Sequence, residues 1–414
     1  MTISFRIAVG AASLCVITAV PASAQQRPTT RADSIEKARA DSIALVRALE
    51  GAGGRGGQQP GPSNPRLLPD ISVVGDLVAD LSPKGSTQED ATRIGVREIE
   101  LAAQAAVDPY FRGDVFLGFS DLEGVAIEQA YLTATAIPEL EVRLGRYLMP
   151  FGKQTTTHRH DLHTIEYPWV IQQFFGPEGL KGTGAYASKV FSPFGWYQEL
   201  IVNAVDRLGE NSNGLSPAEP VNQNLEGLGY AARLRNYWDV NESTNFELSG
   251  SAMTGLLEQP LNGVSGDSPN AVAARQTTFA GDLTFRWRPL QQGLYKSFIL
   301  QAEVMRQVNE RFSLALPGNI TYAGPARDAT GGYVFARYQL TRRLYLGGRG
   351  DYVDDAFTAD GTLTAGSGYL EWFPSEFSKL VAGYERVNRT GLEGVNRFLL
   401  QASFALGPHK PHPF

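Results

Sequence analysis

Three of the chain's five histidines crowd together as His158, His160 and His163, with Asp161 among them and Glu166 just beyond. Imidazoles two and three positions apart beside carboxylates form a donor set for zinc or copper. No single helix or strand turns all three toward one point, so a loop has to arrange them. The other two histidines, His409 and His412, lie near the C-terminus. A second set of chemically capable residues is spread along the chain. Arg143, Arg233, Arg235, Arg286, Arg288 and Arg349, together with Asp282, Glu303 and Asp351, interrupt otherwise apolar stretches. Lining a water-filled lumen, such charges set a transverse field that discriminates solutes by charge. Covalent catalysis finds no footing: G-x-S-x-G is absent, and no histidine falls in a segment with a strand pattern. The chain therefore reads as a non-enzyme.

The elements that position these residues follow from a period-two alternation that begins at Asp70. Phe279, Gly281, Leu283, Phe285 and Trp287 alternate with Ala280, Asp282, Thr284, Arg286 and Arg288. Phe398, Leu400, Ala402, Phe404 and Leu406 alternate in the same way with Arg397, Leu399, Gln401, Ser403 and Ala405. One face is apolar and the other polar, the pattern of a transmembrane strand with lipid on one side and water on the other. Sixteen such segments run from 70–82 to 395–407, most of them long enough for a tilted span. Connections after even-numbered segments are tight, whereas 152–181, 208–226, 257–275 and 309–330 are long. Trp196, Trp238, Trp287 and Trp372 all flank tight turns, so an aromatic girdle belongs at that end. The fold expected is all-β: a transmembrane antiparallel up-and-down β-barrel of about 16 strands over 70–407, preceded by a short helical stub.

Composition agrees with this and narrows the function. The 414 residues carry 37 Lys and Arg against 43 Asp and Glu, a formal charge of −6, which argues against a general nucleic-acid binder. A mean hydropathy of −0.19 speaks against a bundle of membrane helices and leaves a barrel open. Residues 1–24 have the charged start, apolar run and Ala22-Ser23-Ala24 site of a secretory signal cleaved after Ala24. Cys15, the one cysteine, lies within it. Residues 25–50 read as a periplasmic amphipathic stub, 51–69 as a Gly/Pro-rich linker and 408–414 as a C-terminal tail.

The order Arg143-Leu144-Gly145-Arg146-Tyr147-Leu148-Met149-Pro150-Phe151-Gly152, then His158 to His163, Tyr167-Pro168-Trp169 and Phe174-Phe175-Gly176, resembles the phosphate-selective-porin-like barrels. It is also similar to the barrels labelled zinc-regulated TonB-dependent outer-membrane receptors, as is the ending Leu406 to Phe414. The resemblance implies an outer-membrane location, a homotrimer and an inward-folding loop after the fifth strand, with Lys153, Arg159, Asp161 and Glu166 as its constricting charges. Two departures weigh against the finer labels. Only eight lysines are present, too few for the basic lumen of a phosphate porin. After the signal, 414 − 24 = 390 residues remain, which cannot supply a 22-strand barrel with its plug.

The sequence thus points to a passive outer-membrane porin, embedded in lipid, through which small hydrophilic solutes or ions diffuse without a cofactor. The alternative is a metal-linked uptake or receptor barrel that binds zinc through His158, His160 and His163.

Overall fold

The computed structural model describes residues 69–407 apart from 89–91, 122–123, 136, 138, 207–224, 261–270, 317–319 and 357. The expected signal, stub and C-terminal tail, most of the linker, and His409 and His412 lie outside the described residues. Sixteen strands close into one antiparallel barrel. They are β1 (Asp70–Asp80), β2 (Ile94–Ala106), β3 (Phe111–Ser120), β4 (Gly124–Ala134), β5 (Leu140–Leu148), β6 (Lys181–Phe191), β7 (Tyr197–Val205), β8 (Gly229–Asn241), β9 (Thr244–Pro260), β10 (Ala271–Trp287), β11 (Phe298–Asn309), β14 (Ala329–Thr341), β15 (Leu344–Asp354), β16 (Thr362–Ser375), β17 (Ser378–Arg389) and β18 (Val395–Leu406). Each pairs with its neighbour, and β1 closes on β18 from Val73 opposite Leu406 to Asp80 opposite Leu399. Closure removes the edges that an open sheet would leave unpaired.

The sixteen alternating segments correspond one to one with these strands. A short hairpin, β12 (Ser313–Leu316) with β13 (Ile320–Ala323), stands apart from the barrel within the long 309–330 connection, where no strand was expected. The side-chain alternation follows the pleat. On β10, Phe279 is exposed outward, whereas Thr278, Asp282 and Thr284 are buried inside. Trp196 and Trp238 meet edge to face at a centroid distance of 6.5 Å, and Phe194 stacks on Trp196 at 5.2 Å. Trp287 and Trp372 lie at the same short-turn end, so four of the five tryptophans form the expected girdle.

The barrel is not hollow. The segment 149–180 folds into it and carries the one described α-helix, α1 (Trp169–Phe175). Met149, Phe151, Leu162, Tyr167, Val170, Ile171, Phe174, Phe175 and Leu180 are all buried. They pack on inward-facing apolar wall residues such as Ala231, Met253, Met305, Phe335 and Val353. Each large side chain so buried contributes roughly 1.5–3 kcal/mol. Two glycines make room. A Cβ on Gly331 of β14 would meet Val170 at 2.7 Å, and Gly152, at φ +66°, turns the chain where a Cβ would strike the Glu303 carboxylate. The expectation of an inward loop therefore holds, but apolar packing seats it, a role not assigned to it from its charges.

Phe174→Ala should empty space at the centre of this core and cost about 3–5 kcal/mol of loop docking. Hydrogen exchange is expected to rise across 149–180, while the barrel strands keep their protection and the chain its heat-modifiable migration on gels.

Candidate functional site

Ion pairs to the barrel wall surround the apolar core of the loop. Lys153, at its start, donates to Glu247 at 2.7 Å, and its backbone N–H donates to Glu303 at 3.1 Å. Gln154 donates to Gln301 at 2.8 Å. Farther round the barrel, on β15 and β17, the Trp169 N–H donates to Asp351 at 3.0 Å, and its indole to Glu385 at 3.2 Å. Arg349 bridges Asp351 (2.7 Å), Glu385 (3.4 Å) and the carbonyl of Glu166 (2.9 Å). Arg397 joins Glu166 (2.8 Å) to Glu385 (2.7 Å). Lys379, deep in the wall, donates to the carbonyls of His160 and Leu162. Arg97 owes its inward aim to a β-bulge: Asp76 faces Glu98 and Leu77 faces Val96, leaving Arg97 unopposed. Its guanidinium then pairs with Asp76 and donates to the carbonyl of Ile165 at 2.8 Å.

These partners set the titration of the loop groups. Burial alone would raise the Glu166 carboxyl, but Arg397 outweighs it and holds the pKa down at about 2. Burial pushes Lys153 down to about 8 against the pull of Glu247. Burial, with Arg337 nearby, also lowers His163.

The nine residues expected to line the pore divide into three groups. Arg143, Arg235 and Arg286 face inward and keep about a third of their side chains exposed, 32, 33 and 34%. Arg233, Asp282, Glu303, Arg349 and Asp351 also face inward but are buried, and they serve as wall anchors and counter-charges instead of a wetted lining. Arg288 lies beyond β10, in the turn leading to β11, where it donates to the carbonyl of Gly293 at 2.9 Å. Among the four expected constriction residues, Lys153 and Glu166 tie the loop to opposite walls. Arg159 donates to the carbonyl of Pro177 at 3.0 Å within the loop itself. Asp161 stands 3.8 Å from the imidazole of His160.

The three loop histidines do not converge. His158 and His160 stack at 5.3 Å beside Glu100 of β2. His163 points elsewhere, 3.8 Å from Glu371 and stacked on Phe335. Glu100 was missed because it looks like any other alternating residue of β2. The apolar anchors were also missed, although the run Trp169-Val170-Ile171-Gln172-Gln173-Phe174-Phe175 carried a signal: an exposed loop does not keep so much apolar surface in water.

Two wet regions flank the loop. At the long-loop end a cavity of about 300 Å³ is lined by Thr87, Arg97, Ser120, Arg159, Glu178 and Arg397, among others. At the short-turn end, Arg143 lies over Tyr131 and Tyr186 at 5.2 and 4.9 Å, and Arg235 over Tyr197 at 6.0 Å. Behind Arg235 and Arg286, Glu247 and Asp282 have no exposed side-chain surface, and Glu247 lies 3.1 and 3.7 Å from the two guanidinia.

No family model matches this chain. An uncharacterized protein of Aquifex aeolicus is 26% identical over 338 residues, covering 76% of this chain and 69% of that protein. Among solved structures, a loop-deletion mutant of OmpT, an outer membrane protein of Vibrio cholerae, superposes with a TM-score of 0.53 at 12% identity, covering 82% of this chain and all of that one. The outer membrane channel DcaP of Acinetobacter baumannii gives 0.53 at 13% identity, with 82 and 96% covered. OprB of Pseudomonas putida gives 0.51 at 10%, with 82 and 94% covered. The chain shares the closed-barrel fold of these proteins.

Because Glu166 titrates below its ordinary value of 4.5, its pairing with Arg397 stabilises the docked loop above that pH and is lost as pH falls toward about 2. Acrylamide quenching of Trp169, in a variant whose other four tryptophans are Phe, should therefore rise across that window. Glu166→Gln should lack that step and start from a looser loop.

Proposed function

We propose that this chain is an outer-membrane, porin-type channel. Small hydrophilic solutes or ions would pass through the lumen beside the docked loop, past the short-turn part of the β3–β10 wall that carries Arg143, Arg235 and Arg286. The observation that carries the reading is the uneven wetting of the lumen. The face of the wall that water reaches carries three guanidinia, at Arg143, Arg235 and Arg286, against one well-exposed partner carboxylate, Glu141 beside Arg143, while Glu247 and Asp282 are withdrawn behind it. A solute in that passage meets a net positive charge, set by Arg235 and Arg286 where no exposed carboxylate matches them, so the channel favours small anions. Likeness of fold to channels such as DcaP supports the class of activity; the solute preference rests on these residues alone. On this reading the loop narrows the passage, and the chain performs no chemistry on what it carries. A receptor keyed to all three loop histidines has less support, since His163 is drawn away to Glu371.

Planar-bilayer recording under a salt gradient tests this directly. Arg235→Glu together with Arg286→Glu is expected to move the reversal potential toward cation preference, with discrete conductance steps retained. An unchanged reversal potential would remove these two side chains from the permeation path, and complete electrical silence of the wild-type barrel would defeat the channel reading itself.

A further inference from the structure

The lumen contains one group of side chains that neither anchors the loop by an Arg or Lys pair nor faces the wet passage. Glu100 projects inward from β2 and is 2% exposed; His160 is 1% exposed. The His158 Nδ1 lies 2.7 Å from the Glu100 carboxylate. One donor atom from each of Glu100, His158 and His160 falls within 4.8 Å of the other two. We propose that these three residues bind one divalent transition-metal ion of the zinc class, which clamps the 149–180 loop to the β2 wall.

Three observations support the site. First, two imidazoles and a carboxylate make the donor set that zinc and its neighbours prefer over calcium or magnesium. Zinc holds its donors at about 2.0–2.2 Å, so ligands around it stand roughly 3.4 Å apart. The present spacing, at most 4.8 Å, is within about 1.4 Å of that value. Second, Glu100 has a need that most of the buried carboxylates lack. Asp76, Asp282, Glu247, Glu371 and Glu385 are buried carboxylates too, and each faces an Arg or Lys. Among the described residues Glu100 forms an ion pair with His158 only. A buried carboxylate whose one partner is an imidazole, and not an Arg or Lys, can take a metal cation together with that imidazole. Third, the backbone already presents the ligands. His158 precedes the short 3-10 turn Arg159–Asp161 that contains His160, and the two rings stack at 30° toward one wall.

Gln129 of β4 sharpens the proposal. Its side-chain oxygen accepts the Leu148 N–H at 3.1 Å, so its NH₂ group faces His158 Nε2 at 2.8 Å. In that arrangement Nε2 accepts, and the ring proton sits on Nδ1 toward Glu100. Metal at Nδ1 shifts this proton to Nε2, where it would confront an NH₂ group. A carboxylate at 129 can accept from both Leu148 and His158, completing a carboxylate–histidine–metal relay.

The test uses the full-length mature barrel in detergent, in a His409→Ala/His412→Ala background, titrated with Zn²⁺ by calorimetry and with Co²⁺ by visible absorption. One equivalent should bind at about 10 µM or tighter, and His160→Ala and Glu100→Gln should each weaken it at least about tenfold. His163→Gln should leave it unchanged, and loop amides should gain hydrogen-exchange protection with metal. Gln129→Glu should tighten binding about tenfold, a gain that misfolding cannot mimic. Absence of saturable binding below about 1 mM, or one-equivalent binding indifferent to both His160→Ala and Glu100→Gln, would overturn the site. Neither result bears on the conductance prediction, so this proposal and the channel reading fail separately.

Discussion

Burial of the 149–180 loop's apolar face inside the barrel is the interaction on which the rest of the structure depends. A sixteen-strand barrel can close with a water-filled interior, and its lining then has no reason to be apolar. Here Met253, Met305, Phe335, Val353 and Val387 face inward and meet Phe151, Val170, Phe174 and Phe175. Loop and wall each present a surface that water would penalise, and each covers the other. The ion pairs are arranged around that contact. They add direction to a seat that burial has already made favourable, because a buried pair must first recover the cost of leaving water.

That arrangement also explains why charged residues of one type have different roles in one lumen. Arg349 and Arg397 lie under the loop, fully matched by Asp351, Glu385 and Glu166, and they act as fasteners. Arg143, Arg235 and Arg286 lie at the short-turn margin of the loop, where Arg235 and Arg286 share Glu247 with Lys153, and they keep contact with water. The loop, by where it sits, divides the arginines into buried fasteners and a partly exposed set. The β14–β18 wall is drawn tight onto the loop through Asp351, Glu385 and Lys379, whereas the wall from β3 to β10 retains exposed guanidinia and tyrosines near its short-turn end.

Much of the fold could be read from the chain. Alternation along β10 and β18 gave strand positions, inward and outward faces and the end of the barrel that carries the tryptophans, because a strand's side-chain period is fixed by its own backbone and the membrane demands an apolar outer face. The β12–β13 hairpin was not legible: four-residue strands hold too little pattern to stand out from a loop. Within the site, the loop was identified and its direction expected. What holds it inside is not written in the charges of Lys153, Arg159, Asp161 and Glu166 but in the aromatic run that follows them, whose burial depends on a wall supplied by distant strands.

Sequence by itself determined the barrel, its sixteen spans, its two unlike ends and the residue types that face inward, all consequences of local periodicity. Only the tertiary structure decided which inward charges meet water, that His163 parts from His158 and His160, and that Glu100 joins them. Those outcomes depend on where a long loop crosses the lumen and which wall it meets, and contacts between strands far apart in the chain leave no mark in its periodicity.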